Sequence, residues 1–165
     1  MQKCLYLLCP TDCLESVINS NFENENYFYT SLGNSVVFTP YTIQHIKKLI
    51  TKRKIKNIYF VLSDNNNIVL DALGKQNYSK LRGLNNFYTK ITAQKKHTEI
   101  LWQNDSNRLA IISYYLNRKI KELHFELINS VSHPVKIGGK IYDRFENTFK
   151  NIHSTLVCIE KHYLN

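Results

Sequence analysis

No stretch of this sequence approaches the ~18 consecutive apolar residues that a membrane-spanning helix needs. Residues 1–10 contain an apolar run of only about five residues before Pro10, too short for the hydrophobic part of a secretory signal, and they lack a small-residue cleavage site. Disulfides are rare in proteins that are not secreted, so we expect the 4 cysteines to be free thiols. These absences predict a cytoplasmic protein that does not contact a membrane.

The sequence also lacks the short motifs that mark common nucleotide-binding and catalytic sites. It contains no Gly-x-Gly-x-x-Gly, no phosphate-binding loop and no Gly-x-Ser-x-Gly. Its 6 histidines are scattered, and no two are spaced as in the His-Glu-x-x-His motif of zinc peptidases. We therefore expect the histidines to be surface residues or ordinary packing residues.

Acidic residues are scarce relative to basic ones, at 13 against 22, which gives a net charge of +9. Much of this charge lies in one run between residues 47 and 56. Such a run is either the solvated face of a helix and the loop after it, or an electrostatic surface for nucleic acid or a membrane surface. The basic residues of the run are Lys47, Lys48, Lys52, Arg53, Lys54 and Lys56.

The rest of the chain is organised around the segment 57–73. Ile58–Leu62 is a continuous apolar run, which is typical of a parallel strand covered on both faces. The polar turn Ser63–Asn67 follows, and a helix from about Asn66 to Leu73 ends at Gly74. Ligand sites in open α/β sheets lie at the carboxyl ends of strands, so any chemistry is expected at this turn.

Periodicity predicts the other elements, and together they indicate an α/β fold. We expect a mostly parallel central sheet flanked by helices, with an added C-terminal hairpin, in one domain that spans residues 1–165. Thr11 or Asp12 is predicted to cap the short helix after the first strand. Gly138 and Gly139 predict a bulge or a close approach within their strand. The predicted elements are strands Gln2–Cys9 and Tyr27–Thr30, helices Thr42–Arg53 and Ser106–Ile128, and the hairpin strands Val135–Tyr142 and Thr148–Ile152.

Four segments in this order resemble the β-class carbonic anhydrases. In that family the first strand ends in Cys-x-Asp-x-Arg, where this chain has Cys9–Cys13. The second ends in Arg-Asn-Ala-Gly-Asn, of which Gly33 and Asn34 remain. The central strand ends in His-x-x-Cys, where this chain has Asp64–Asn67. The last strand ends in a Gly-x-x-Tyr-Asp similar to Gly139–Asp143.

The resemblance implies that the zinc site of the family is mostly lost. The family holds zinc through two cysteines and one histidine, and of these only Cys9 remains, because Asp64 and Asn67 occupy the other two positions. The Asp and Arg that form a pair beside the metal fall on Thr11 and Cys13. One thiolate, one carboxylate and one amide would hold zinc poorly.

By this resemblance we expect a metal-free binding or scaffold protein without a cofactor, a homodimer by analogy, with a protein partner that the sequence does not identify. One alternative is a divergent zinc-dependent carbonic anhydrase that uses Cys9 and Asp64. Another is a nucleic-acid-associated protein that uses the basic run. The residues predicted to line the remnant of the ancestral pocket are Cys9, Thr11, Asp12, Gly33, Asn34, Asp64 and Asn67.

Overall fold

A mostly parallel sheet forms the centre of the protein. The computed structural model describes residues 1–101, 107–128, 130, 131 and 133–152. The strands are β1 (Lys3–Leu8), β2 (Glu25–Thr30), β3 (Asn57–Ser63), β4 (Lys136–Asp143) and β5 (Thr148–Asn151). Within these ranges they form one five-stranded sheet in the order β2-β1-β3-β4-β5, in which only β5 runs antiparallel to its neighbour. The predicted fold class and its C-terminal hairpin are confirmed.

Helices cover both faces of this sheet. The predicted helices at 42–53, 66–73 and 106–128 are confirmed to within a few residues in the described ranges. A further helix, Asn85–Leu101, lies in the segment 75–105, for which the sequence pattern predicts no clear element. Ser106, Cys158 and the tail from residue 153 lie outside the described residues. No helix in the described ranges is long and apolar enough to cross a membrane. The helices are α1 (Glu15–Asn21), α2 (Pro40–Arg53), α3 (Asn67–Leu73), α4 (Asn85–Leu101) and α5 (Asn107–Leu127).

The alternation of side chains along β1 divides the core in two. Leu5 and Leu7 point into the larger cluster, which α2, α3, α4 and α5 complete. Tyr6 and Leu8 point to the other face, where they pack with α1 and with Tyr142 of β4. Because β1 and β3 are buried on both faces, their sequences are continuous apolar runs rather than alternating ones.

Two local predictions have different outcomes. The helix predicted to begin at about Asn66 is present as α3, and Asn66 caps it, since its side-chain oxygen accepts the N–H groups of Ile68 and Val69. The predicted cap of the first helix by Thr11 or Asp12 is wrong. Helix α1 begins at Glu15 without a side-chain cap, because residues 10–12 form a separate 3-10 turn and the carboxylate of Asp12 bonds to a distant strand.

The glycine pair in β4 marks a close approach, as predicted. A Cβ built on Gly139 would lie 2.6 Å from Cδ1 of Ile152 and 3.2 Å from Cδ1 of Ile120. Gly139 therefore lets α5 and the segment after β5 pack directly on the β4 backbone. The neighbouring Gly138 has room, with Tyr59 at an ordinary 3.4 Å.

Candidate functional site

The carboxyl ends of β1 and β3 lie side by side, and the polar residues after both strands meet there. The two strands pair in register up to Leu8 and Val61. Each then turns: β1 into the 3-10 turn Pro10–Asp12, and β3 into the turn before α3. The turn Leu32–Asn34, which follows β2, completes this edge of the sheet.

Cys9 is buried at the centre of this edge. The backbone N–H of Gly33 donates to Sγ of Cys9 at 3.0 Å, and Oγ1 of Thr11 lies 3.0 Å from the same sulfur. Gly33 has φ 59°, a left-handed conformation that favours glycine. A Cβ at Gly33 would lie 3.0 Å from Cζ of Phe87 and 3.1 Å from Cγ2 of Ile68. The space beside Gly33, whose N–H contacts the thiol, is thus filled by apolar side chains from α3 and α4.

Asp12 is directed at the end of β3. Its Oδ2 accepts the backbone N–H of Ser63 at 2.9 Å, and its Oδ1 accepts the Ser63 hydroxyl at 2.5 Å. Arg144, from the loop between β4 and β5, donates to the Asp12 carbonyl at 2.6 Å and places Nη2 3.7 Å from Oδ1 of Asp12. The buried carboxylate is therefore both hydrogen-bonded and close to a cation.

Asn34 ties the two central strands together. Its Nδ2 donates to the carbonyls of Leu7 and Val61, at 2.9 Å each, and its own carbonyl accepts the hydroxyl of Tyr115 at 3.0 Å. The Oδ1 atom of Asn34 is buried and has no hydrogen-bond partner among the described residues. Burial raises the pKa of Tyr115 far above its usual value, so this phenol remains a donor.

The structure brings together most of the predicted pocket residues, but not all. Cys9, Thr11 and Gly33 are in direct contact, and Asn34 follows Gly33. Asp64 is turned towards the β4–β5 loop, where its Oδ1 accepts the N–H of Arg144 at 3.5 Å. Asn67 is exposed on the first turn of α3.

The predicted pocket set leaves out three residues of this edge: Arg144, and Ser63 and Asn66 of the predicted polar turn. Ser63 donates its N–H and its hydroxyl to the carboxylate of Asp12. Nδ2 of Asn66 lies 3.4 Å from Oγ1 of Thr11. Ser63 and Asn66 have the same i, i+3 spacing as Asp64 and Asn67, the pair to which the family resemblance points, but lie one residue earlier. No sequence signal links Arg144 to Asp12, since 132 positions separate them.

A second polar cluster lines a cavity of about 580 Å³ between α4 and α5. Nζ of Lys119 donates to the Val36 carbonyl at 2.7 Å and to Oε2 of Glu122 at 2.6 Å. Oε1 of Glu122 accepts Nζ of Lys90 at 3.1 Å. Burial alone would raise the pKa of Glu122, but Lys119 and Lys90 outweigh it and hold that pKa below its usual value. The ionised groups satisfy one another and connect the two helices.

The predicted basic run lies at the opposite edge of the sheet, where the strands begin. Lys48, Lys52, Arg53, Lys54 and Lys56 are exposed, and Lys47 is half-buried. The run therefore covers the end of α2 and the connection into β3.

Comparison with known proteins gives structural matches alone. No family model matches this sequence, and no curated protein matches it. The β-carbonic anhydrase CafD of Aspergillus fumigatus superposes with a TM-score of 0.72 at 16% identity, over 93% of this chain and 90% of that one. The Coccomyxa β-carbonic anhydrase, solved with acetazolamide, gives a TM-score of 0.70 at 12% identity, over 99% of this chain and 85% of that one.

The chain has the β-carbonic anhydrase fold. A Sordaria macrospora structure matches as well, one of two tetrameric β-carbonic anhydrases of that fungus, with a TM-score of 0.69 at 16% identity, over 92% of this chain and 80% of that one. The resemblance of four short sequence segments to this family thus predicted the right fold.

The residues at the carboxyl edge do not fit the zinc ion of a β-carbonic anhydrase. Catalytic zinc needs about three protein ligands that are thiolate, imidazole or carboxylate. In the described ranges no group of three or more His, Cys, Asp or Glu side chains could hold a metal ion. Cys9 is flanked by a hydroxyl and an N–H, and the side-chain oxygen of Asn66 already caps α3.

Proposed function

We propose that this protein is a binding or scaffold protein with the β-carbonic anhydrase fold, without carbonic anhydrase activity, in the cytoplasm. One observation carries the proposal: the thiol of Cys9 has hydrogen-bonding and apolar neighbours where a zinc site needs further ligands. Phe87 and Ile68 occupy the space beside Gly33, so the edge is packed as a structural junction.

The chemical reason lies in the nucleophile. Hydration of carbon dioxide at neutral pH needs a hydroxide, and zinc supplies one by lowering the pKa of its bound water to about 7. The contacts of Cys9 among the described residues are a hydroxyl and an N–H, and neither is a general base of comparable strength. Asp12 is already bonded to Ser63 and lies near Arg144, so its carboxylate is engaged.

A ligand site at this edge would use its outer polar groups. We keep the seven predicted residues as the candidate ligand-binding set; of these, Thr11 and Asn67 are exposed and Asp64 is half-buried. Asn65 and Arg144 lie beside them and are joined by a hydrogen bond of 2.9 Å from Nε of Arg144 to Oδ1 of Asn65. A small polar ligand is the class that these amides and charges would bind.

We further propose that the chain forms a homodimer, by analogy with the oligomeric enzymes that share its fold. Light scattering on the purified protein tests this directly. A mass of twice the 19.4 kDa of one chain is expected, and a monomer at micromolar concentration would contradict it.

The main experiment measures metal and activity on the same preparation. Protein purified without chelator or affinity-column metal is analysed for zinc, and its carbon dioxide hydration is followed by stopped flow. We expect zinc far below one ion per chain and no rate above buffer. Near-stoichiometric zinc that Cys9→Ser abolishes and the exposed Cys13→Ser retains would contradict the proposal and support the divergent enzyme that uses Cys9 and Asp64.

A further inference from the structure

The amino edge of the sheet, opposite the candidate site, collects basic residues from three strands. Lys3, Lys56 and Lys136 stand at or just before the starts of β1, β3 and β4. Two backbone hydrogen bonds fix their order: the N–H of Lys56 donates to the Lys3 carbonyl at 3.1 Å, and the N–H of Lys136 donates to the Lys56 carbonyl at 2.9 Å. The pairing register sets Lys56 opposite Lys3 but Lys136 opposite Asn57. The three lysines therefore form a row along this end of the sheet in which Lys136 points to the other face from Lys56.

Helix α2 ends beside this row and extends it. Its last residues, Lys52 and Arg53, and the left-handed residue Lys54 that ends it are all exposed. The N–H of Ile55 donates to the Ile50 carbonyl at 3.0 Å, so the chain turns tightly from α2 into β3. We call the resulting surface the basic edge; its members are Lys52, Arg53, Lys54, Lys56 and Lys136.

Apart from Arg53, whose charge also acts on the Glu25 carboxylate, the members of the basic edge are not neutralised by the described part of the protein. Lys3 is paired with Glu25 at 2.9 Å, and it is left out of the set for that reason. For the members of the basic edge, no carboxylate of the described residues lies within ion-pair distance. Arg53 instead stacks on Tyr27, with its Cζ 5.4 Å from the ring centre, which holds the guanidinium at the surface.

We propose that the basic edge binds the phosphate backbone of nucleic acid without sequence preference. Four of its five members are lysines, which act on phosphates as point charges and do not present the bidentate fork that reads base edges. The most exposed aromatic rings of the described residues, Tyr41 and Phe145, lie elsewhere, at the start of α2 and in the β4–β5 loop. The described part of the basic edge therefore offers no freely exposed ring for base stacking, and backbone contact is the mode that its charges support.

The same distribution argues against an anionic membrane as the partner. Stable membrane attachment needs an apolar anchor in addition to a basic patch. Two of the large apolar side chains exposed among the described residues lie near the basic edge: Met1, and Ile128, which lines a cavity with Val135 and Ile137. Two such side chains are a small anchor beside five basic residues. The proposal stands independently of the catalytic status of the opposite edge, so the zinc and hydration measurements do not decide it.

Fluorescence anisotropy with short labelled DNA and RNA duplexes of mixed sequence tests the proposal. Affinity is measured between ~50 and ~200 mM salt, because each phosphate contact contributes about −0.9 to the slope of log K against log salt. The test variant is Lys52→Glu/Lys56→Glu/Lys136→Glu. We expect it to lose at least about tenfold in affinity at ~100 mM salt and to flatten the slope by about 2.7.

The matched control is Lys75→Glu/Lys80→Glu/Lys121→Glu, which changes three exposed lysines away from the basic edge and has the same net charge. It should retain most of the affinity and the slope, and circular dichroism verifies that both variants are folded. Equal losses in the two variants, or no binding by the wild type, would overturn the proposal. Binding to vesicles that contain phosphatidylserine, without binding to either duplex, would overturn it as well.

Discussion

At the carboxyl edge of the sheet, single side chains connect segments that lie far apart in the sequence. Asn34 is the clearest case, because its side-chain amide donates hydrogen bonds to the carbonyls of both Leu7 and Val61. Asp12 similarly fixes both the backbone and the hydroxyl of Ser63. These bonds are buried, so each lost partner leaves an unsatisfied polar group in the interior.

Replacing Asn34 by alanine tests that argument. The Leu7 and Val61 carbonyls would lose their buried donor, and each orphaned acceptor costs about 1–3 kcal/mol. Urea unfolding followed by circular dichroism should show the loss as a lower midpoint at unchanged slope. Asn67→Ala is the control, since Asn67 is exposed at the same edge. This substitution should change the free energy of unfolding by no more than about 0.5 kcal/mol. Equal effects of the two substitutions would refute the bridging role of Asn34.

Among the elements, α4 and α5 are joined by charge as well as by apolar packing. Phe87, Tyr88 and Ile91 of α4 are buried, and the ring of Phe87 meets that of Tyr115 edge to face at 5.0 Å. Beside this contact, the carboxylate of Glu122 in α5 forms ion pairs with Lys119 of the same helix and with Lys90 of α4. The pair of helices should therefore respond to pH through this one carboxylate.

The pKa of Glu122 is lowered in the folded protein, so its contribution to stability is present above the unfolded pKa of about 4.3. That contribution is lost as the pH falls through the folded pKa. We expect the melting temperature of the wild type to fall more steeply from pH 6 to pH 3, roughly the span over which carboxylates titrate, than that of Glu122→Gln. The exposed Glu126→Gln should follow the wild type, and a parallel fall in all three proteins would show that the triad does not titrate in this way.

The sequence predicts the elements whose signals are local. The apolar run of β3, the helix that begins at about Asn66 and the long helix α5 each depend on neighbours a few residues away, and these predictions are confirmed. Helix α4 lacks such a signal, because Asn85, Asn86 and other weak helix formers mask its short apolar stripe and tertiary packing stabilises it. The Asp12–Ser63 bond joins positions 51 apart, and a pattern that runs along the chain does not contain such a pairing.

For the whole molecule, the two edges of the sheet have opposite characters. The carboxyl edge is closed by buried internal bonds around Cys9, whereas the described part of the amino edge carries unpaired positive charge. A protein with this division should gain stability from polyanions and little from zinc, because only a ligand that binds the native state raises the melting temperature.

Thermal shift measurements test the expectation that zinc stabilises the protein little. Added zinc at ~100 μM, or a chelator, should leave the melting temperature of the wild type within about 1 °C, since binding at 100 times Kd would add about 2.7 kcal/mol of stability and move it by several degrees. A rise with zinc that Cys9→Ser removes and Cys13→Ser keeps would mean that the carboxyl edge binds the metal.

The pairing of β4 with β3 has a consequence for how the protein is made. β1, β2 and β3 leave the ribosome early and can pair, but the second edge of β3 receives its partner only when Lys136–Asp143 has been synthesised. At ~5–20 residues per second, the roughly 80 residues from Ser63 to Asp143 take roughly 4–16 s. Throughout this interval, the apolar strand β3 presents unpaired backbone groups, which are a template for aggregation. The nascent chain is therefore most in need of a chaperone between the completion of β3 and the arrival of β4.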